Sequence, residues 1–218
     1  MLIGMCGRAG TGKDTAAKIL VDLDLVTYSY ALASPIKRCI NALFGWDERH
    51  SDGALKEVMC WAPISNVGWI EFKRLVIVTG LSQLTTAEEL LSRLVVELVS
   101  EGLDETREIW TSPRIAYQVF GTEVGRKIRD TIWLDLAPTV DVVITDVRFP
   151  NELDWLRSKG GILIKVEGPR RSKGVVSKHS SESFVDQMVP NMVLVNDSTL
   201  ESLKNNLLSQ LPVALAMS

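Results

Sequence analysis

Apolar residues along this chain fall into short runs and helical stripes that take turns. Leu2 to Cys6 is an apolar run ending at a glycine-rich turn, the pattern of a buried parallel strand. From Lys13 to Asp22, Ala16, Ala17, Ile19 and Leu20 supply one side of a helix. Leu25 to Ala31, rich in β-branched and aromatic residues, predicts a second strand. Ser34-Pro35 opens the next helix, with Ser34 as N-cap and Pro35 at the first helical position, and Gly45 stops it after Phe44. Thr86 to Glu101 is amphipathic, with Leu90, Leu91, Leu94, Val95, Leu98 and Val99 on one face; Thr85 or Thr86 caps it and Gly102 ends it. Ser112-Pro113 repeats the helix-start signal and leads a helix to about Phe120, which Gly121 breaks before a further helical stretch to about Leu136. Val140 to Thr145, Ile162 to Val166 and Met192 to Val195 predict strands, and Pro150 to Lys159 and Thr199 to Leu211 predict helices.

Strands and helices alternating in this way predict an α/β domain with a parallel sheet and helices on both faces, three layers in all. Ligands in such folds bind beyond the carboxyl ends of the strands. The informative residues should therefore follow Cys6, Ala31, Thr145 and Val166. Two stretches stand outside the alternation. Residues 46–108, with Trp46, Trp61, Trp69 and the apolar run Leu75 to Val78, read as a variable, helical insertion in a single domain spanning 1–218. Residues 168–182 are polar and basic and read as a loop of lid type.

Size and charge narrow the classes. A chain of 218 residues suits one α/β domain, and 46% hydrophobic with 23% charged residues supports a packed core. A net charge of −3 argues against a surface built to coat nucleic acid, although locally clustered cations can still hold a small anion. Cys6, Cys39 and Cys60 are odd in number and widely spaced, which fits neither a disulfide framework nor a zinc site, so free thiols in a reducing cytoplasm are expected. No signal peptide is expected in Met1 to Gly7, and no apolar run approaches the ~20 residues that span a bilayer.

The strongest chemical signal is Gly7-Arg8-Ala9-Gly10-Thr11-Gly12-Lys13-Asp14-Thr15, between the first strand and the first helix. Its Gly-x4-Gly-Lys spacing is that of a Walker A phosphate loop. Glycines let successive N–H groups turn inward around phosphate oxygens, the helix N-terminus adds partial positive charge, and Lys13 reaches the terminal phosphates. A bare glycine turn is the bland alternative, weakened by the strand-to-helix context. Asp14 stands where this loop usually has Ser or Thr. A carboxylate there could hold Mg²⁺, directly or through water, or it could only cap the helix.

The second strand's end reads Ala31-Leu32-Ala33-Ser34-Pro35-Ile36-Lys37-Arg38 and has no acid. A kinase acting on a hydroxyl wants a carboxylate base there. An acceptor that is already a phosphate needs positive charge instead, which Lys37 and, less so, Arg38 offer. Asn-Lys-x-Asp and Asp-x-x-Gly stretches are both missing, which disfavours a GTPase. Asp146 closes a strand and could hold Mg²⁺ through water, cap the next helix or pair with Arg148.

With Gly12-Lys13-Asp14-Thr15 and Leu32-Ala33-Ser34-Pro35-Ile36-Lys37, the chain resembles the phage-type deoxynucleoside monophosphate kinases. Pro113 to Glu123, with Ile132-Trp133 beyond it, is similar to that family's middle motif. Ile144 to Glu152 is similar to its late strand-end motif, and His179-Ser180-Ser181-Glu182 to the end of its lid. The resemblance implies a P-loop kinase fold and transfer of phosphate from ATP, with Mg²⁺, to deoxynucleoside monophosphates. It implies that Gly10, Thr11, Gly12, Lys13, Asp14, Thr15 and Arg171 hold ATP. Ala9, Lys37, Arg114, Gln118, Gly121, Thr122, Arg126, Trp133 and Glu152 would meet the acceptor. Lys13, Asp146, Arg148 and Arg170 would serve the transfer itself, and Asp14 and Asp146 the metal. Each has a bland rival: Gly121 as a helix stop, Trp133 as a core residue, Arg126 as part of a solvated face, Glu152 as a residue that opens the next helix.

Two rival functions remain at this level: a P-loop kinase for another phosphorylated small molecule, and a nucleotide-binding module without transferase activity. Small-molecule nucleotides are the expected partners, with no nucleic acid and no membrane. The helix from Thr86 and the unplaced tryptophans are candidates for a homodimer surface.

Overall fold

The computed structural model describes residues 1–99, 108–169 and 180–216. Their contacts divide the chain into two compact units, Met1–Leu32 with Ala137–Ser218, and Ala33–Leu136.

The first unit is built on β1 (Leu2–Cys6), buried at all five positions as a strand covered on both faces must be. β2 (Tyr28–Tyr30), β5 (Val142–Ile144), β6 (Ile162–Glu167) and β7 (Met192–Val195) complete a parallel sheet in the order β2-β5-β1-β6-β7. Gly4 pairs with Ile144 and Cys6 with Lys165, so the loops leaving β1, β5 and β6 emerge at one edge. On one face, α1 (Lys13–Asp22) and α10 (Leu200–Ala216) bury Ala16, Leu20, Leu203 and Leu207 against Ile3, Met5, Ile164 and Leu194. On the other, α8 (Pro150–Ser158) lies so close to β1 that a Cβ on Gly4 would come within 2.4 Å of Leu156. The expected α/β class, parallel sheet and flanking helices are therefore found. α9 (Ser180–Gln187), which the apolar pattern did not predict, precedes β7.

The strand expected at Leu25 to Ala31 forms only over Tyr28–Tyr30. The residues before it finish α1 instead: Leu25 N–H donates to the Leu20 carbonyl at 3.0 Å, and Asp24 takes a left-handed φ of 54°.

The second unit is mainly helical: α2 (Ser34–Phe44), α3 (Glu48–Ser51), α4 (Asn66–Val78), α5 (Ala87–Leu98), α6 (Pro113–Gln118) and α7 (Ile132–Asp135). Ile40, Leu43, Phe72, Leu90, Leu94 and Phe120 are fully buried at its centre. The stretch read as an insertion belongs to this core and carries a two-stranded antiparallel ribbon, β3 (Cys60–Pro63) and β4 (Glu108–Thr111). Ala62 and Ile109 face inward; Trp61 and Trp110 sit opposite each other on the outer face, 5.3 Å between ring centres. α5 is helical through Leu98, and Thr86 caps it by accepting from the Glu89 N–H; the expected end at Glu101 and stop at Gly102 lie outside the described residues.

Gly121 does not break its helix, contrary to expectation. α6 continues directly into a π-helical segment, Val119–Arg126. Gly121 and Gly125 are buried there as close-packing positions: a Cβ would lie 3.0 Å from Ile36 at the first and 2.3 Å from Trp133 at the second.

Candidate active site

The glycine-rich loop expected to bind phosphate, Gly7 to Thr15, lies between β1 and α1. Gly7, Gly10 and Gly12 have φ of 145°, 78° and 96°, values that side-chain-bearing residues rarely adopt. Thr11 is buried, and its hydroxyl donates to the Arg8 carbonyl at 2.9 Å, closing the turn. Gly12 caps α1 without a side chain, whereas α4, α5 and α6 are capped by Ser65, Thr86 and Ser112. The N-cap thus has no side chain to occupy the first amides of α1, which leaves them available to an anion.

Lys13 folds back over the loop, its Nζ donating to the Gly7 and Arg8 carbonyls at 3.0 Å each. Burial lowers its pKa from the ordinary lysine value, and the Arg148 charge adds to this, while Asp14, Cys6 and Asp146 oppose it. A desolvated ammonium beside a guanidinium gains from an incoming anion. Arg8 leaves the loop outward and meets Asp186 of α9 at 2.6 Å.

Asp146 and Arg148 follow β5, the strand next to β1. Asp146 Oδ1 accepts the Leu32 N–H at 2.6 Å, which fixes the carboxylate at the sheet edge. Arg148 is exposed. Glu152 is buried, its Oε2 accepting the Arg148 and Phe149 N–H groups at 2.7 and 3.1 Å. It therefore shapes the turn carrying Arg148 and opens α8.

A cavity of about 300 Å³ adjoins the loop, lined by Gly10, Gly12, Lys13, Asp14, Thr15, Asn196, Leu200 and Leu203. Three of these, Asn196, Leu200 and Leu203, were not among the expected site residues. The available signal was position: Asn196 directly follows β7 at the ligand-binding edge of the sheet.

The acceptor candidates Lys37, Arg114, Gln118, Gly121, Thr122, Arg126 and Trp133 all lie in the second unit. Lys37 of α2 is half-buried and pairs with Asp52 at 2.6 Å; Arg114 pairs with Glu57. Arg114, Gln118, Thr122 and Arg126 recur every four residues along α6 and the π-helical segment. In an α-helix that spacing drifts steadily around the axis; the wider i→i+5 turn brings it back. Gln118 and Thr122 are exposed, and the Thr122 hydroxyl donates to the Gln118 carbonyl. Trp133 is placed differently from the expectation of base contact. It is 4% exposed, its indole N–H donates to the Gly121 carbonyl at 2.8 Å, and its ring packs against Gly125 and Phe120. Ala9 is exposed on the phosphate loop in the first unit. Arg170 and Arg171 lie outside the described residues.

A parallel sheet with a glycine-rich loop of Gly-x4-Gly-Lys spacing after its first strand, and an acid and an arginine after the adjacent strand, fits the P-loop kinase fold. A family model described as deoxynucleotide monophosphate kinase matches residues 70–207, more than half the chain. The chain belongs to the deoxynucleotide monophosphate kinase family. Among similar proteins, a deoxynucleoside-5′-monophosphate kinase of Escherichia phage T5 is 29% identical across 90% of this chain and 89% of its own length. A putative deoxynucleotide monophosphate kinase of Acanthamoeba polyphaga mimivirus is 28% identical across 96% of this chain and 95% of its own. An uncharacterised protein of Ictalurid herpesvirus 1 is 32% identical across 39% of the chain and 40% of its own. Among the described residues, no helix is long and apolar enough to cross a membrane.

Proposed function

We propose that this protein transfers the γ-phosphate of ATP to deoxynucleoside monophosphates, giving diphosphates. One observation carries the reading: Lys13 is poised over an uncapped phosphate loop, next to the strand end bearing Asp146 and Arg148. Family membership and the T5 relative's name support the class of acceptor.

The loop amides and Lys13 hold the donor's phosphates, Lys13 exchanging its two carbonyl partners for phosphate oxygens. The cavity beside Asn196 and Leu200 takes the donor's nucleoside end. Lys37 and Arg114 hold the acceptor phosphate by exchanging Asp52 and Glu57 for it. Gln118, Thr122 and Arg126 continue that row toward the acceptor's sugar and base. Trp133 acts from beneath, fixing the Gly121 carbonyl. The acceptor oxygen is already anionic, so no side chain needs to remove a proton. Charge balance and in-line placement supply the rate, and Arg148, whose charge already acts on Lys13, neutralises the transferring group.

The oxygen ligands on offer suit Mg²⁺. Among the described residues no three acidic, histidine or cysteine side chains converge, and Mg²⁺ commonly takes one or two carboxylates and leaves the rest to phosphates and water. Asp14 and Asp146 would hold it, where it would supply charge neutralisation between the phosphates.

A panel of deoxynucleoside and ribonucleoside monophosphates, together with other phosphorylated small molecules, tests the reading through ADP release. ADP formation with deoxynucleoside monophosphates, lost by at least about 100-fold in Lys13→Met with an unchanged circular dichroism spectrum, is expected. ATP binding without ADP from any acceptor, or near-normal turnover by Lys13→Met, overturns it.

A further inference from the structure

Asn196 is 6% exposed, and its side-chain Nδ2 donates to the Thr11 carbonyl at 2.8 Å, joining residues 185 apart in sequence. Its own N–H donates to the Glu167 carbonyl at 2.7 Å, which anchors it to the end of β6. Two glycines make room for it. A Cβ on Gly168 would lie 2.3 Å from the Asn196 carbonyl oxygen, and one on Gly12 would lie 2.2 Å from its Nδ2. The side chain thus spans from the last strand of the sheet to the phosphate loop, wedged against the loop's final glycine.

The bond matters because of what lies on the other side of the same peptide. Among the described residues every peptide is trans, so a carbonyl and the next N–H point in opposite directions. Holding the Thr11 carbonyl toward Asn196 turns the Gly12 N–H away from it. Gly12, having no side chain and a φ of 96°, would otherwise let that peptide plane rotate at little cost. We propose that Asn196 is a positioning residue for phosphoryl transfer: it locks the Thr11–Gly12 peptide so that the Gly12 amide is aimed into the phosphate loop before the donor arrives.

This inference rests on the phosphate-loop reading above and adds to it a residue outside the loop. Preorganised amides bind anions without reorganising as they do so, and a misaimed one presents a carbonyl oxygen to a phosphate. Removing the anchor therefore weakens every ligand that puts a phosphate in the loop, whatever else the ligand carries.

The test uses the full chain with Asn196→Leu, which removes the donor, and Asn196→Asp, which keeps the size but cannot donate when ionised. Calorimetric titration with ATP and with inorganic pyrophosphate is expected to show roughly five- to tenfold weaker binding of both by both variants, the scale of one lost hydrogen bond. In turnover, KM for ATP rises by a larger factor than kcat falls, and KM for the acceptor monophosphate is unchanged. A merely destabilised fold would lower kcat through the active fraction and leave KM alone. If Asn196→Leu does not fold, Asn196→Asp decides. Wild-type affinity for both ligands overturns the proposal. So does weaker ATP binding with normal pyrophosphate binding, which would make Asn196 a nucleoside contact from the cavity wall. Lys13→Met measured alongside separates the two readings. If it binds and turns over normally, the phosphate-loop reading itself fails; if it does not while the Asn196 variants behave as wild type, only the role of Asn196 falls.

Discussion

Gly12→Ala tests the contact between loop and sheet from the opposite side. Two costs can be read from the structure. An L-residue at φ 96° costs about 1–2 kcal/mol through contact between its Cβ and the neighbouring carbonyl. The new Cβ would also sit 2.2 Å from Asn196 Nδ2, so the amide must swing away and give up its bond to Thr11, a further ~1 kcal/mol. Together these amount to about 2–3 kcal/mol, or a fall of roughly 4–12 °C in melting temperature for a chain of this length. Gly160→Ala supplies the control, because Gly160 has φ 71° in the same unit and a methyl group there would meet nothing within 4 Å. That variant should lose only the conformational share, about 1–2 kcal/mol. Differential scanning calorimetry without nucleotide measures both. A Gly12→Ala protein no less stable than Gly160→Ala would refute the claim that Asn196 is wedged against the loop.

Two further outcomes are expected. Lys37→Ala and Arg114→Ala should each raise KM for the monophosphate by roughly 10- to 100-fold, the scale of a charge-assisted hydrogen bond, and leave KM for ATP near wild type; steady-state kinetics with each substrate varied would show it, and an unchanged acceptor KM in both would remove them from the acceptor site. Burial pushes the Cys6 thiol up to about 11 and the Cys39 thiol up to about 12, so both stay protonated and shielded at pH 8, while Cys60 is only half-buried; a chromogenic disulfide should titrate one thiol in the native protein and three in denaturant, and two or more fast native thiols would contradict the packing of β1 or α2.

The elements that local chemistry determines were legible in the sequence, and those that depend on distant partners were not. β1, β7 and α1 form at their expected bounds, because a continuous apolar run and a helical stripe each act over about ten residues. The Ser-Pro start places α2 to within one residue, ending at Phe44 as expected but beginning at Ser34, with Ala33 rather than Ser34 as its N-cap and no side-chain cap bond. The β3–β4 ribbon offered no such signal. Each strand has four residues, one carries Pro63, and the buried inward face is marked by Ala62 and Ile109 and by the polar Thr111. Its pairing partner is a non-local matter that period-two alternation over four residues cannot specify. Gly121 misled for a related reason. A glycine inside a helical pattern reads as a stop, yet here Ile36 and Trp133 pack onto the glycine-bearing face, and close approach outweighs the conformational cost.

The same distinction runs through the site. The candidate phosphate loop could be read directly because ten consecutive residues, Cys6 to Thr15, contain the strand end, the turn and the lysine that its chemistry needs. Asn196 is as close to that chemistry as several loop residues, but 185 positions separate it from the atom it holds. An asparagine before Asp197, Ser198 and Thr199 looks like ordinary turn material. The rule that drew attention to the residues after β1, β2, β5 and β6 applies equally to the residue after β7, because all five strands are parallel and end at the same edge. Its neighbour in the sheet is the strand beside β1, so a side chain there needs to cross only one strand to reach the loop. Gly168, just past that intervening strand, lets the Asn196 backbone come close: a Cβ there would lie 2.3 Å from the Asn196 carbonyl oxygen. A glycine at this place is therefore itself a sign that another backbone segment packs close against it. Gly168→Ala should push the Asn196 backbone away and weaken pyrophosphate binding in calorimetric titration while the circular dichroism spectrum stays that of the wild type; unchanged pyrophosphate affinity would show that the approach at Gly168 does not help to hold Asn196.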